Sequence, residues 1–240
     1  MDKPRKPNID SDQSPPETAT APGCGALSLL WNRPQGALSA TLALAHGAGA
    51  PMDSPFMDAI AQRLTARGVA VARFEFPYMA ARREDGRRRP PNPQKQLLEC
   101  WRQVYAQLRA QVEGPLAIGG KSMGGRMASL LADELGAAAL VCLGYPFYAA
   151  GKAEKPRVAH LAELRTPTLI VQGERDALGD VAHVADYALS PAIQLHWLAA
   201  ADHDLKPLKA SGLTHEQHLD SAAQRIASFL DGLQKAPGRP

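Results

Sequence analysis

The stretch Gly119 to Gly125 reads GGKSMGG and offers two chemistries. As Gly120-Lys121-Ser122-Met123-Gly124 it fits G-x-S-x-G, the sharp strand-to-helix turn that presents a nucleophilic serine. As Gly-Lys-Ser it resembles the end of a phosphate-binding loop, which requires G-x-x-x-x-G-K-[ST]. The first glycine of that loop would fall at position 115, which is Pro115, a residue with no N–H to offer a phosphate. Gly114 comes one residue too early, and the "PLAI" before Gly119 reads as a strand. The next strand, "ALVCLGY", carries no acid at its end to help hold magnesium. The serine turn, by contrast, uses every glycine. Gly120 and Gly124 stand where strand and helix backbones crowd, and Ser122 opens a helix whose unpaired N–H groups favour developing negative charge.

A serine alcohol needs a base, and the base needs an acid to orient it. On this kind of sheet the expected chain order is Ser, then Asp or Glu, then His. "PTLIVQGERD" delivers Asp176 just past a strand end, with Asp180 as the runner-up in the same loop. "AIQLHWLAAADHDLKP" delivers His203 in the loop after the last strand. His196 lies within that strand, His183, His215 and His218 fall on expected helices, His160 precedes the strand of Asp176, and His46 ends an early strand. Adjacent residues of "DHD" point in different directions and no second ligand cluster appears, so no metal site is expected. An oxyanion needs two donors. The Met123 N–H follows the nucleophile, and "HGAGA" offers the Ala48 N–H in a loop of small residues that lets backbone approach a substrate.

The elements that must position these residues alternate. Strands are expected at 26–31, 40–46, 69–76, 115–119, 137–145, 167–173 and 192–199, and helices at 56–67, 94–112, 123–135, 181–189 and 215–233. Short apolar strands alternating with helices imply a mostly parallel sheet covered on both faces. Ser122, Asp176 and His203 then each follow a different strand end, at the edge where sites on such sheets gather. The expected organisation is a disordered tail over 1–23, one α/β domain over 24–235 and a frayed end at 236–240. The segment 81–94, "ARREDGRRRPPNPQ", reads as a solvated loop, or as a basic rim attracting anionic substrates.

The chain has 240 residues, 45% hydrophobic and 21% charged, with a net charge of +3. That suits one globular domain and gives no argument for nucleic acid. Apolar runs are far too short for a membrane span, and no apolar stretch follows the early charges of "MDKPRKPNID". Cys24, Cys100 and Cys142 show no paired spacing, which predicts a reducing, cytoplasmic setting without a disulfide framework.

The motifs "HGAGA", "GGKSMGG", "LIVQGERD" and "ADHDLKP" together resemble the alpha/beta-hydrolase superfamily. With "RFEFPYMAARR" and "LGYPFYAAGKAEKPR" they resemble its short bacterial, dienelactone-hydrolase-like members, whose animal relatives include a subunit of a chromatin acetyltransferase complex. Dienelactone hydrolases proper use a cysteine nucleophile, so lactone cleavage is not implied. The resemblance implies a serine hydrolase fold with a complete triad and supplies no substrate; cleavage of small carboxylesters or thioesters through an acyl-enzyme is the mechanism expected. It implies no cofactor and a small-molecule acyl substrate as partner. Oligomeric state stays open. The kinship also implies an alternative, a catalytically idle fold used as an interaction module. The interval from Tyr145 to Arg165 is too short for a large cap domain, which predicts an open pocket lined by Tyr78, Tyr145 and Phe147, with Met79, Pro146 and Tyr148 beside them.

Overall fold

A computed structural model of the protein describes residues 28–235. The expectations for 1–23 and 236–240 lie outside the described residues. Strands β1 (Leu30–Asn32), β2 (Ala40–Ala45), β3 (Val69–Phe74), β4 (Leu116–Lys121), β5 (Leu140–Leu143), β6 (Thr168–Gly173) and β7 (Ile193–Leu198) form one sheet. Its order is β1-β3-β2-β4-β5-β6-β7. β1 runs antiparallel to β3, and every other pair is parallel. Helices α1 (Pro55–Thr65), α2 (Pro77–Asp85), α3 (Gln94–Arg109), α4 (Met123–Ser129), α5 (Val181–Val184) and α6 (His215–Lys235) connect and cover it.

Side-chain alternation splits the core into two apolar layers. Leu42 and Leu44 of β2 face Ile60 and Leu64 of α1 and Ile226 of α6. Ala43 and Ala45 face the other way, into the layer built by α3 and α4. Because both faces are covered, β2 to β6 are buried along their whole length and read as largely apolar runs. The expected stripe of α3 is the buried one: Leu97, Trp101, Val104 and Leu108. Trp101 meets Phe74 edge-on, with ring centroids 4.7 Å apart.

Four expectations are corrected. The segment expected as a loop from 81 begins inside α2, which starts with Pro77 in its first turn and stops at Gly86 in the left-handed conformation, φ 70°. α4 ends at Ser129, with turns rather than helix through 135. α5 ends at Val184, not at 189. Cys100 is disulfide-bonded, while Cys142 is a free, buried thiol. No helix among the described residues is long and apolar enough to cross a membrane.

Candidate active site

β4 hands directly to α4 through Ser122, whose backbone sits at φ 50°, ψ −116°. A non-glycine residue there carries strain of about 1–3 kcal/mol, which persists only where surrounding structure enforces it. The enforcement is visible. The Ser122 N–H donates to the Leu143 carbonyl at 2.9 Å, and its carbonyl accepts from the Arg126 N–H at 3.0 Å. A Cβ on Gly120 would lie 2.6 Å from the Gly124 carbonyl carbon, and one on Gly124 2.6 Å from the His46 carbonyl oxygen. The two glycines are therefore steric requirements of the turn.

Ser122 stands at the N-terminus of α4 but makes no capping bond. Its Oγ lies 2.9 Å from His203 Nε2 instead. His203 Nδ1 lies 2.8 Å from Asp176 Oδ2. A carboxylate only accepts, so Nδ1 carries the proton and Nε2 is left to accept from the serine hydroxyl. Asp176 has no solvent exposure. Gln172 Nε2 donates to the same Oδ2 at 2.8 Å, and the Leu178 N–H donates to Oδ1 at 2.8 Å. Three donors thus fix the carboxylate.

Gln172 was not found from the sequence. It sits within β6, fully buried, and also accepts from the Tyr145 N–H at 2.6 Å and donates to the Gly179 carbonyl at 3.0 Å. A polar residue inside the otherwise apolar run "TLIVQG" was the available signal. Lys121, beside the serine, ends β4. Its Nζ donates to the His203 carbonyl at 2.8 Å and pairs with Asp204 at 3.2 Å.

The "HGAGA" loop follows β2 and lies against the serine, since a Cβ on Gly47 would be 3.7 Å from Ser122 Cβ. Behind it, His46 is buried, and burial pushes its pKa down. Its Nδ1 donates to the Gly47 carbonyl at 2.6 Å and its Nε2 accepts from the Phe76 N–H at 3.1 Å. Neutral His46 therefore ties the ends of β2 and β3 together. A cavity of about 380 Å³ opens over Ser122 and His203, lined by Ala48, Phe56, Met57, Lys121 and Asp204 among others.

Ser122, Asp176, His203, Met123 and Ala48 thus meet at one sheet edge. The three residues expected to line the pocket do not stand on this cavity. Tyr145 and Phe147 have no solvent exposure and pack edge-on in the apolar layer beneath. Tyr78 is buried behind the "HGAGA" loop, where its hydroxyl donates to the Ala48 carbonyl at 2.9 Å. Aromatic residues near a strand end found the core because the sheet edge is already covered there. Asp180, the runner-up acid, caps α5 and pairs with His183. A second serine–histidine contact, Ser129 Oγ to His160 Nε2 at 2.9 Å, lies at the end of α4, with no carboxylate among the bonds of that histidine. Among the described residues no cluster of His, Cys, Asp and Glu could hold a metal ion. The supposed basic rim is partly spent on structure: Arg83 binds both oxygens of Asp53 at 2.9 Å and reaches buried Glu75.

A parallel sheet with a strained serine turn at its centre and an aspartate–histidine pair from later strand ends defines an alpha/beta hydrolase fold. Residues 38–231 match the family described as alpha/beta hydrolase domain, and the chain belongs to it. Solved structures agree on the fold. A serine hydrolase without a lid from Xanthomonas campestris has a TM-score of 0.61 at 18% identity, over 89% of this chain and 91% of that one. Dienelactone hydrolase from Anabaena variabilis gives 0.62 at 22%, over 86% and 93%. An esterase domain from Rhodothermus marinus gives 0.63 at 19%, over 86% and 92%. Among the described residues of this chain no lid domain is inserted. Between β5 and β6 only a single short turn of helix, Ala159–Leu161, interrupts the loop.

Proposed function

We propose that the protein is a serine hydrolase that cleaves small carboxylesters or thioesters through an acyl-enzyme. The observation that carries this reading is the unbroken chain of contacts from Asp176 through His203 to the strained Ser122. His203 Nε2 takes the hydroxyl proton as Ser122 Oγ attacks the carbonyl carbon. Asp176 holds the ring in the required tautomer and balances the imidazolium that forms. The Met123 and Ala48 N–H groups receive the oxyanion. Collapse expels the alcohol or thiol, which takes its proton from His203. Water then attacks the acyl carbonyl carbon as it gives a proton to the same nitrogen, and collapse releases the acid as Ser122 Oγ takes that proton back. The cavity supports small substrates, since about 300–1,000 Å³ is the range for ligand pockets and this one lies near its floor.

A fluorophosphonate probe tests the reading. Wild type should be labelled at Ser122, and Ser122→Ala should not. Absence of labelling in folded wild type would instead favour the interaction module suggested by the resemblance to the chromatin-complex branch.

A further inference from the structure

We propose that Lys121 is a positioning residue for His203, clamping the backbone that carries the base; this rests on the reading of Ser122 and His203 as nucleophile and base. Lys121 ends β4, and its side chain is only 9% exposed. An ammonium so placed is costly unless paired. Both of its polar partners belong to one loop, the His203 carbonyl at 2.8 Å and the Asp204 carboxylate at 3.2 Å, while the Phe56 ring lies 5.5 Å from the ammonium. The Asp204 side chain is 72% exposed, so that ion pair adds little to stability by itself. The bond to the His203 carbonyl is the part that acts on the site.

The loop needs holding. Two non-glycine residues flank His203 in the left-handed region, Ala200 at φ 53° and Leu205 at φ 62°. On the inner side the loop already rests on backbone, since a Cβ on Gly144 would lie 2.7 Å from the His203 carbonyl oxygen and 3.3 Å from its Nδ1. The same position would meet Lys121 Nζ at 3.2 Å. Carbonyl, imidazole and ammonium thus converge over one glycine. Gly144 stops the loop from moving inward, and Lys121 stops it from drifting out. Asp176 sets the rotation of the ring, while Lys121 sets where the ring is carried. These are separate constraints on one 2.9 Å contact with Ser122.

The test is the concentration dependence of fluorophosphonate labelling. Misplacing a catalytic group by about 1 Å costs on the order of 100-fold. Lys121→Met should therefore lower the maximal labelling rate by roughly 10- to 100-fold, with the half-saturating probe concentration and the melting temperature little changed. Lys121→Cys should be similarly slow and should regain most of the rate on S-aminoethylation, which rebuilds an ammonium of nearly the same reach; wild type treated alike is the control. A Lys121→Met protein that labels at the wild-type rate overturns the proposal. So does one that keeps the maximal rate but needs more probe, since the lysine would then be a substrate contact. If wild type itself is not labelled at Ser122, the hydrolase reading falls first and the clamp with it.

Discussion

Gly120→Ala is the most direct probe of how the serine turn is built. The added Cβ would sit 2.6 Å from both the Gly124 carbonyl carbon and the Gly125 nitrogen, and 2.7 Å from the Ala45 carbonyl oxygen. Ordinary contact begins at 3.4 Å, so β4 must part from α4 and β2 by roughly 0.8 Å. All three neighbours are backbone, and none can rotate away. Overpacking of this kind costs about 1–3 kcal/mol. The displacement also falls on the residue that aims Ser122 at His203, where about 1 Å is worth about 100-fold in rate. The urea midpoint should fall, and fluorophosphonate labelling, measured well below the unfolding transition, should slow by about two orders of magnitude. Gly36→Ala is the matched control, since a Cβ there meets nothing within 4 Å. If Gly120→Ala matches wild type in both assays, the argument that close backbone approach demands this glycine is wrong.

Other expectations follow the same contacts. Asp176→Asn should fold, because Asn keeps the shape, yet lose about 10⁴-fold in ester turnover by disturbing the His203 tautomer and charge balance, read as kcat on p-nitrophenyl acetate. In a p-nitrophenyl ester series the short chains should be preferred, and a steep gain toward long chains would contradict the cavity over Ser122. Trp101→Ala should cost about 3–5 kcal/mol in urea unfolding, since the ring is wholly buried against Phe74. Burial pushes His46, His160 and His196 below their ordinary value of 6.5. The unfolded chain then binds more protons than the folded one between those lowered values and 6.5, so stability is present above pH 6.5 and drains away as pH falls through that window. Urea midpoints from pH 7.5 to 5 read this, and His46→Asn should flatten part of the slope.

The contact of Ser122, His203 and Asp176 was legible because each sits at a strand end, and strand ends are marked by runs of small apolar residues followed by turns. Asp176 and His203 could be chosen by position alone. What escaped were residues whose role depends on who stands opposite. Gln172 lies inside β6 and Lys121 at the end of β4, and only the fold brings them their partners, the Tyr145 N–H and Asp176 for one and the His203 carbonyl for the other. α2 was hidden by its composition: its exposed arginines read as loop, although Pro77 and Gly86 were fair start and stop signals. Tyr145 and Phe147 were misread because sequence tells that an aromatic follows a strand, but not whether a second layer covers it.

The contact between Ser122 and His203 joins residues 81 positions apart in the chain. Strands β5, β6 and β7 all intervene, each laid beside the last. Closing so long a loop is entropically slow, and such pairings form late. On the proposed reading, the serine emerges during synthesis well before its base and stays an ordinary alcohol until the far edge of the sheet has docked. Recovery of labelling after dilution from denaturant therefore reports the last folding phase rather than collapse. On that reading the chain acquires its reactivity only once it is folded, which keeps a half-made polypeptide chemically quiet.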